Sequence, residues 1–372
     1  MHGDIGSAPM VEAIELARRS RPSPNPRVGA VLVKDGAVVG RGFHRAAGLP
    51  HAEIEALCDA KGSARGADLF VTLEPCCHTG RTRPCTEAII AARPRRVVVG
   101  TIDPDPRVDG NGIRALREAG LEVLVGVEGR ACRELIADYA VHRIESRPLV
   151  TLKAAATLDG KLATTGGESK WITSRKSRTL AHQLRADSDA VLVGRGTVLA
   201  DDPLLTVRLA EGDNPLRIVL DSDLSITTDS RLLGSAGDAG LLLAHTGGNS
   251  RRAAELSSSE NVETLACEAD ERGRVEPRGL LRELGKRSLL SLLVEGGPTV
   301  HGSFLRAAAA DRVAVFLAPR LLGAGRGWLA EQLAEHLADA LELSEMSCAP
   351  VGEDLLIRAW LSCSPALRWL RG

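Results

Sequence analysis

The chain has 372 residues, long for one hydrophobic core and suited to two domains of ordinary size. With 44% hydrophobic and 26% charged residues it has a soluble globular composition, and a net charge of −1 gives no field to recruit a polyanion. Aromatics are only 2%, with Tyr139 the single tyrosine, so the stacking platforms that single-stranded nucleic acid needs are scarce.

The first residues show no apolar core behind a basic start, so no signal peptide is expected. No run approaches the roughly 20 apolar residues of a membrane span. A cytoplasmic protein with neither a nucleic-acid nor a membrane partner is the expectation. Eight cysteines are too few for a disulfide scaffold. Cys76, Cys77 and Cys85 crowd one stretch, which points to metal or catalysis, whereas Cys58, Cys132, Cys267, Cys348 and Cys363 read as small buried hydrophobes.

In chain order, residues 10–19 carry apolar side chains at helical spacing, and the prolines of SRPSPNP end that helix. GAVLVKDGAVVGRGF predicts a hairpin about Asp35-Gly36. HAEIEALCDA then predicts a helix, DLFVTLEP a strand and TEAIIAA a helix. RRVVVGTID, IRALREAG and LEVLVGV follow as strand, helix and strand, and a helix spans Arg133 to Val141. Strands alternating with helices imply an α/β/α sheet. A boundary is expected in HRIESRPLV, giving domains 1–145 and 146–372. The second domain starts with the strand LVTLKAAAT and a helix over 175–186, then strands DAVLVG, LRIVLD and LLLAHT. The stretch TGGNSRRAAELSSSENVE reads as polar, helix-poor surface, and residues 228–290 are weakly patterned. SLLSLLVEGG, VHGSFLRAAAA, RVAVFLAP and DLLIRAWL supply strand, helix, strand and strand.

Chemistry concentrates in His51-Ala52-Glu53, Pro75-Cys76 and Cys85. His-x-Glu followed by Pro-Cys and a further Cys is the arrangement of zinc nucleobase deaminases. One imidazole and two thiolates hold Zn²⁺ and leave a fourth position for water, whose pKa falls towards about 7. Glu53 is the carboxylate that would carry protons. The bland reading is a closed structural zinc site with Cys77 or His78 as fourth ligand, which leaves Glu53 without a task.

The segments LEPCCHTGRTRPC (73–85), PNPRVGAVLVKDG (24–36), GLPHAE (48–53) and DPDPRVDGNG (103–112) closely resemble the bifunctional riboflavin-biosynthesis deaminase–reductases. The resemblance continues through LKAAATLDGKLA (152–163), ESKWIT (168–173), TVLADDPLLTVR (197–208), VEGGPTVHGSFL (294–305) and LAPRLLG (317–323). It implies a cytidine-deaminase-like N-terminal α/β/α domain and a dihydrofolate-reductase-like C-terminal α/β domain. It also implies zinc and NADPH as cofactors, a small pyrimidine ribosyl phosphate as substrate, and a homo-oligomer. One departure stands out: Cys77 sits where the family commonly has serine, which leaves the first cysteine ligand ambiguous, with Pro-Cys pairing favouring Cys76.

Glycines beside a helix N-terminus expose amides to phosphate, and Gly296-Gly297-Pro298-Thr299 lies between a strand and a helix. By the resemblance, Gly297, Pro298, Thr299, Val300, His301, Gly302 and Ser303 contact the cofactor, as do Ala155, Trp171, Thr197, Asp201 and Ser222. Ser169, Arg185, Leu205, Arg208 and Glu295 would line the reductase substrate pocket, with Lys153 and Asp201 as candidates for proton handling. In the deaminase pocket Asn25 would face the pyrimidine edge. The long segment between the two ligand cysteines brings His78 and Arg81 forward as contacts for the substrate's ribose phosphate. Two other readings compete: an RNA-editing deaminase, disfavoured by weak charge and few aromatics, and a zinc module joined to a nucleotide sensor, disfavoured by Glu53.

Overall fold

The computed structural model describes residues 6–78 and 83–371. Two compact units appear: one runs up to Glu145 and takes in the chain from Arg368, and the other is Ser146–Leu367.

The first unit holds α1 (Ala8–Ala17), the hairpin β1 (Gly29–Lys34) and β2 (Ala37–Phe43), α2 (Ala52–Asp59), β3 (Asp68–Leu73) and α3 (Cys85–Ala92). It continues with β4 (Arg96–Thr101), α4 (Asn111–Glu118), β5 (Glu122–Val125), α5 (Gly129–Leu135) and α6 (Ala137–Glu145). Among the described residues its sheet has five strands in the order β2-β1-β3-β4-β5. β1 runs antiparallel to β2 and β3, and β3, β4 and β5 are parallel. β3 is buried along its whole length, in keeping with the apolar Leu69, Phe70, Val71 and Leu73 of a strand covered on both faces, and its Asp68 is paired with Arg95 and Arg96. Asp35 and Gly36 both take positive φ, 50° and 78°, which a two-residue hairpin turn needs at both central positions. The helix expected over Arg133 to Val141 is two helices, broken at Ile136, where φ is −117° and ψ 23°. Arg133 Nε donates to the Leu370 carbonyl at 2.9 Å, one of the ties that place the chain's end in this unit.

The second unit contains β6 (Leu149–Thr157), β7 (Lys161–Ala163), α7 (Arg175–Ala186), β8 (Ala190–Gly194), α8 (Arg195–Asp201), β9 (Leu216–Leu220), α9 (Arg231–Gly234) and β10 (Leu241–His245). Then come α10 (Ser250–Ser257), β11 (Val262–Ala266), α11 (Pro277–Lys286), β12 (Ser291–Val294), α12 (Pro298–Arg306), β13 (Arg312–Ala318), β14 (Arg326–Gly327), β15 (Leu343–Val351) and β16 (Asp354–Leu361). The last helix is α13 (Pro365–Arg371). Among the described residues the main sheet runs β11-β10-β9-β8-β12-β6-β13-β16-β15. It is parallel from β11 to β13 and antiparallel over β13, β16 and β15.

Two expectations are corrected here. The stretch after β10 is not helix-poor: Asn249 accepts the Arg252 amide and caps α10, and β11 then extends the parallel sheet. A single side-chain cap decides this start, and RRAAEL propagates it well once begun. Of the five scattered cysteines, Cys132 is buried and Cys267 half-buried, but Cys58, Cys348 and Cys363 are exposed. Among the described residues, no helix is long and apolar enough to cross a membrane.

The contact that positions the first unit's chemistry is the seat of α2 on β2. A Cβ on Gly42 would lie 2.2 Å from the Ala52 carbonyl oxygen, and one on Gly40 would lie 2.4 Å from that of Ala56. The helix therefore rests on bare backbone, and its first turn is fixed in height above the sheet. Gly42→Ala must push the helix away. Overpacking of this kind costs about 1–3 kcal/mol. We expect a lower calorimetric unfolding midpoint for the first unit together with weaker zinc retention; an unchanged midpoint would refute the seating argument.

Candidate active sites

Three elements deliver the first site. His51 is the residue before α2, in extended conformation with ψ 164°, so its ring projects from the helix start. Cys76 follows the end of β3, and Cys85 is the first residue of α3. Their donor atoms lie within 4.8 Å of one another. His51 Nδ1 is 3.6 Å from Cys76 Sγ and 3.3 Å from Cys85 Sγ. Tetrahedral zinc, with bonds of about 2.0–2.1 Å to nitrogen and about 2.3 Å to sulfur, sets such pairs about 3.6 Å apart. The residues fit the metal. Neither Cys77 nor His78 joins the group among the described residues, so the geometry does not close around a fourth protein ligand.

The protonation of the triad supports the same conclusion. A hydrogen bond from Cys85, with His51 beside it, holds the Cys76 thiol down to about 4, while that bond drives Cys85 upward. Left to themselves the donors carry one thiolate, and a divalent cation is what lets them carry two. Glu53 is 3% exposed, and burial, reinforced by the charge of Cys76, raises its carboxyl to about 7.

A cavity of about 410 Å³ opens from the triad, lined also by Asn25, His44, Glu74, His78 and Tyr139. Asn25 and His78 thus reach the pocket, whereas Arg81 lies outside the described residues. Sequence reasoning missed His44. Its Nδ1 lies 3.1 Å from the Pro50 carbonyl, an acceptor, so Nδ1 carries the proton. Nε2 then accepts from Asn25 Nδ2 at 2.9 Å, which leaves the Asn25 amide oxygen available to other donors. Burial lowers the His44 pKa and keeps that tautomer neutral. Glu74 was missed as well. It is 3% exposed and accepts the amides of Asp103 (3.2 Å), Gly110 (2.9 Å) and Ile113 (3.1 Å), tying the 103–113 segment to the strand end that presents Cys76. Asp103 is raised to about 7, chiefly by burial.

The second site lies at the carboxyl ends of parallel strands, where open α/β sheets bind ligands. Glu295, directly after β12, accepts from Arg185 Nε at 2.6 Å and Nη2 at 3.0 Å, and from Lys153 Nζ at 3.3 Å. Burial opposes its charge, but the Arg185 and Lys153 cations hold its carboxyl well below the usual range. Arg208 packs beside them, its amide donating to His182 Nδ1 at 3.0 Å. Burial, with Arg185 and Arg208 nearby, lowers His182 to about 4, and sequence reasoning passed over this residue.

Leu205 has φ 57° and a side chain 2% exposed in the core, so only its backbone can face a ligand. The fully buried Arg217 donates to the Leu204 carbonyl at 3.2 Å and steadies that conformation. Ser169 Oγ donates to Asp201 at 3.3 Å, bringing two expected contacts together. A Cβ on Gly297 would lie 3.9 Å from Thr197 Oγ1, so these two also meet. Ala155 is on β6 and Ser222 just beyond β9. Trp171 is 63% exposed, with the Arg178 guanidinium 4.5 Å above its ring. Within 297–303, Gly297 to Val300 are at least partly open, but His301, Gly302 and Ser303 are buried by the helical turn.

Residues 6–101 match the cytidine and deoxycytidylate deaminase zinc-binding region, and residues 148–357 match the RibD C-terminal domain. The riboflavin biosynthesis protein RibD of Aquifex aeolicus is 42% identical over 348 residues, 93% of this chain and 95% of that protein. A solved structure of RibD from Acinetobacter baumannii superposes with a TM-score of 0.84 at 34% identity, covering 96% of this chain and 98% of the other. A diaminohydroxyphosphoribosylaminopyrimidine deaminase/5-amino-6-(5-phosphoribosylamino)uracil reductase from Thermotoga maritima also gives 0.84, at 37% identity over 95% and 98%. With a deaminase donor triad in one unit, a charged cleft in the other and likeness along nearly its whole length, the chain belongs to the RibD family of bifunctional deaminase–reductases of riboflavin biosynthesis.

Proposed function

We propose that residues 1–145 deaminate 2,5-diamino-6-hydroxy-4-(5-phosphoribosylamino)pyrimidine, and that residues 146–372 reduce the ribosyl group of the resulting aminouracil to ribityl with NADPH. The observation that carries this reading is the meeting of His51, Cys76 and Cys85 beside a buried Glu53 whose carboxyl titrates near neutrality.

Zinc held by these three residues supplies the Lewis acidity that makes water nucleophilic near neutral pH. Glu53, buried beside the ligands, is the group that would move the proton from the attacking water to the ring nitrogen and then to the departing amine, so that oxygen replaces nitrogen at the ring carbon and ammonia leaves. A carboxyl near 7 can both accept and return a proton at working pH. Asn25, His78 and Arg81 contact the substrate. In the reductase, Ala155, Trp171, Thr197, Asp201, Ser222 and residues 297–303 hold NADPH, the buried members of that last run through backbone or by shaping the helix start. Ser169, Arg185, Leu205, Arg208 and Glu295 form the substrate wall. Lys153 and Asp201 are the candidates for proton handling there.

We place the reaction in the cytoplasm, which suits eight free cysteines. We also place it in a homo-oligomer, supported by β15, a sheet-edge strand with Met346 68% and Leu343 46% exposed.

Purified chain incubated with the pyrimidine should release ammonia without NADPH and oxidise NADPH only afterwards. Glu53→Gln should cut ammonia release roughly 10²–10⁴-fold. Its zinc content, measured by atomic absorption, should hold, and NADPH oxidation with the aminouracil should continue; undiminished ammonia release would remove Glu53 from the chemistry. In the second unit, Glu295→Gln strips two buried cations of their carboxylate, and breaking such a pair costs about 3–5 kcal/mol. A fall in that unit's unfolding midpoint, followed by tryptophan fluorescence, is expected, and an unmoved midpoint would show the cations are already neutralised by other groups.

A further inference from the structure

The cavity that holds the donor triad is lined also by a second group of charges, Asp105, Arg107 and Arg143. We propose that Arg107 and Arg143 hold the 5-phosphate of the substrate's ribose while the pyrimidine lies at the triad, an assignment that rests on the deaminase reading above.

Charge supports it first. Arg107 grips Asp105 with Nε at 3.0 Å from Oδ1 and Nη2 at 2.6 Å from Oδ2, and Arg143 Nε stands 3.5 Å from Oδ2. Two guanidiniums against one carboxylate leave one net positive charge. Asp105 keeps its own charge at any ordinary pH, since the Arg107 hydrogen bond holds it at about 2. That surplus is the one of the Asp105 cluster alone; Glu74, whose oxygens accept three backbone amides, and Asp103, buried against the Tyr139 hydroxyl at 3.4 Å, line the same cavity.

Donor supply supports it next. Arg143 lies over the Tyr139 ring at 4.8 Å, which fixes its plane, and its side chain stays 29% exposed while Nε faces Asp105. Arg107 is 66% exposed and can swing one face from Asp105 to a ligand. A guanidinium offers five N–H groups in a fork that matches phosphate oxygens, more than one carboxylate consumes. Position supports it last. Cys76 is joined through Glu74 to the 103–113 segment that carries Arg107, so the zinc ligand and this guanidinium belong to one braced wall of the cavity. The substrate carries the reacting amine at one end and the phosphate at the other.

The test compares kcat/KM for ammonia release from the phosphorylated substrate and from its dephosphorylated riboside, using the zinc-loaded full chain. The ratio of the two measures what the phosphate contributes. Arg107→Ala and Arg143→Ala should each lower that ratio by about 10–100-fold, the double variant more, and Arg143→Lys should fall between, keeping charge but losing the fork. Zinc content monitors folding. Should Arg143→Ala lose its metal, Arg107→Ala still decides, because that side chain is largely exposed. A ratio within twofold of the parent in zinc-replete Arg107→Ala overturns the proposal. So does a collapse of the ratio in Arg81→Ala while Arg107→Ala is unaffected, which moves the phosphate to the 78–83 loop. If the parent chain releases ammonia from neither substrate, it is the deaminase reading that fails.

Discussion

His51, Cys76 and Cys85 come from three separate stretches of chain, yet their donor atoms must hold separations of 3.3 and 3.6 Å for one metal ion to satisfy all of them. Each stretch is anchored through close contacts in which backbone takes part. α2 sits on Gly40 and Gly42 with no room for a Cβ. The segment carrying Cys76 is tied back through Glu74 to three amides and through Pro75, whose carbonyl oxygen a Cβ on Gly112 would approach to 2.0 Å. Cys85 opens α3, and its own amide donates to Cys76 Sγ at 3.3 Å, so the second ligand orients the first. Backbone contacts of this kind have few alternative arrangements, which is what a metal site with fixed bond lengths requires.

The reductase cleft is organised differently. There a loop without regular structure, residues 202–208, carries expected contacts, and long cationic side chains pin it from beneath. Arg217 holds Leu204, Arg185 and Arg208 both donate to the Thr206 carbonyl at 3.2 Å, and Asn214 accepts the Val207 amide. Glu295 fixes Arg185 in turn. The positive φ at Leu205 survives because so many partners determine it at once.

The zinc triad and Glu53 were legible in the sequence because the chemistry admits so few residue types, in a set order beside strand ends and helix starts. The strands were legible where both faces are covered, as in FVTL and LLLAH, since burial on both sides leaves mostly apolar runs. Other features left no local trace. His44 follows a hairpin strand and looks like any surface histidine; its role depends on Asn25 and Pro50 arriving from either side. α10 rests on one capping asparagine within a polar stretch. His182 and Arg217 sit in helix and strand patterns that mark them only as interruptions, and their worth appears when residues 204–208 fold against them. Residue matching to the family put Leu205 and His301 in the cofactor and substrate lists without revealing that both side chains point into the core.

The Glu295 cluster has one further consequence, for how the two activities respond to their medium. With Lys153 and Arg185 bonded to it, the Glu295 carboxylate stays ionised around neutral pH, so it is a fixed charge in the reductase cleft. The deaminase pocket has no such lock on Asp103, which burial leaves exchanging its proton around neutrality. A change of pH around neutrality therefore alters the charge carried by Asp103 in the first pocket and leaves that of Glu295 in the second unchanged.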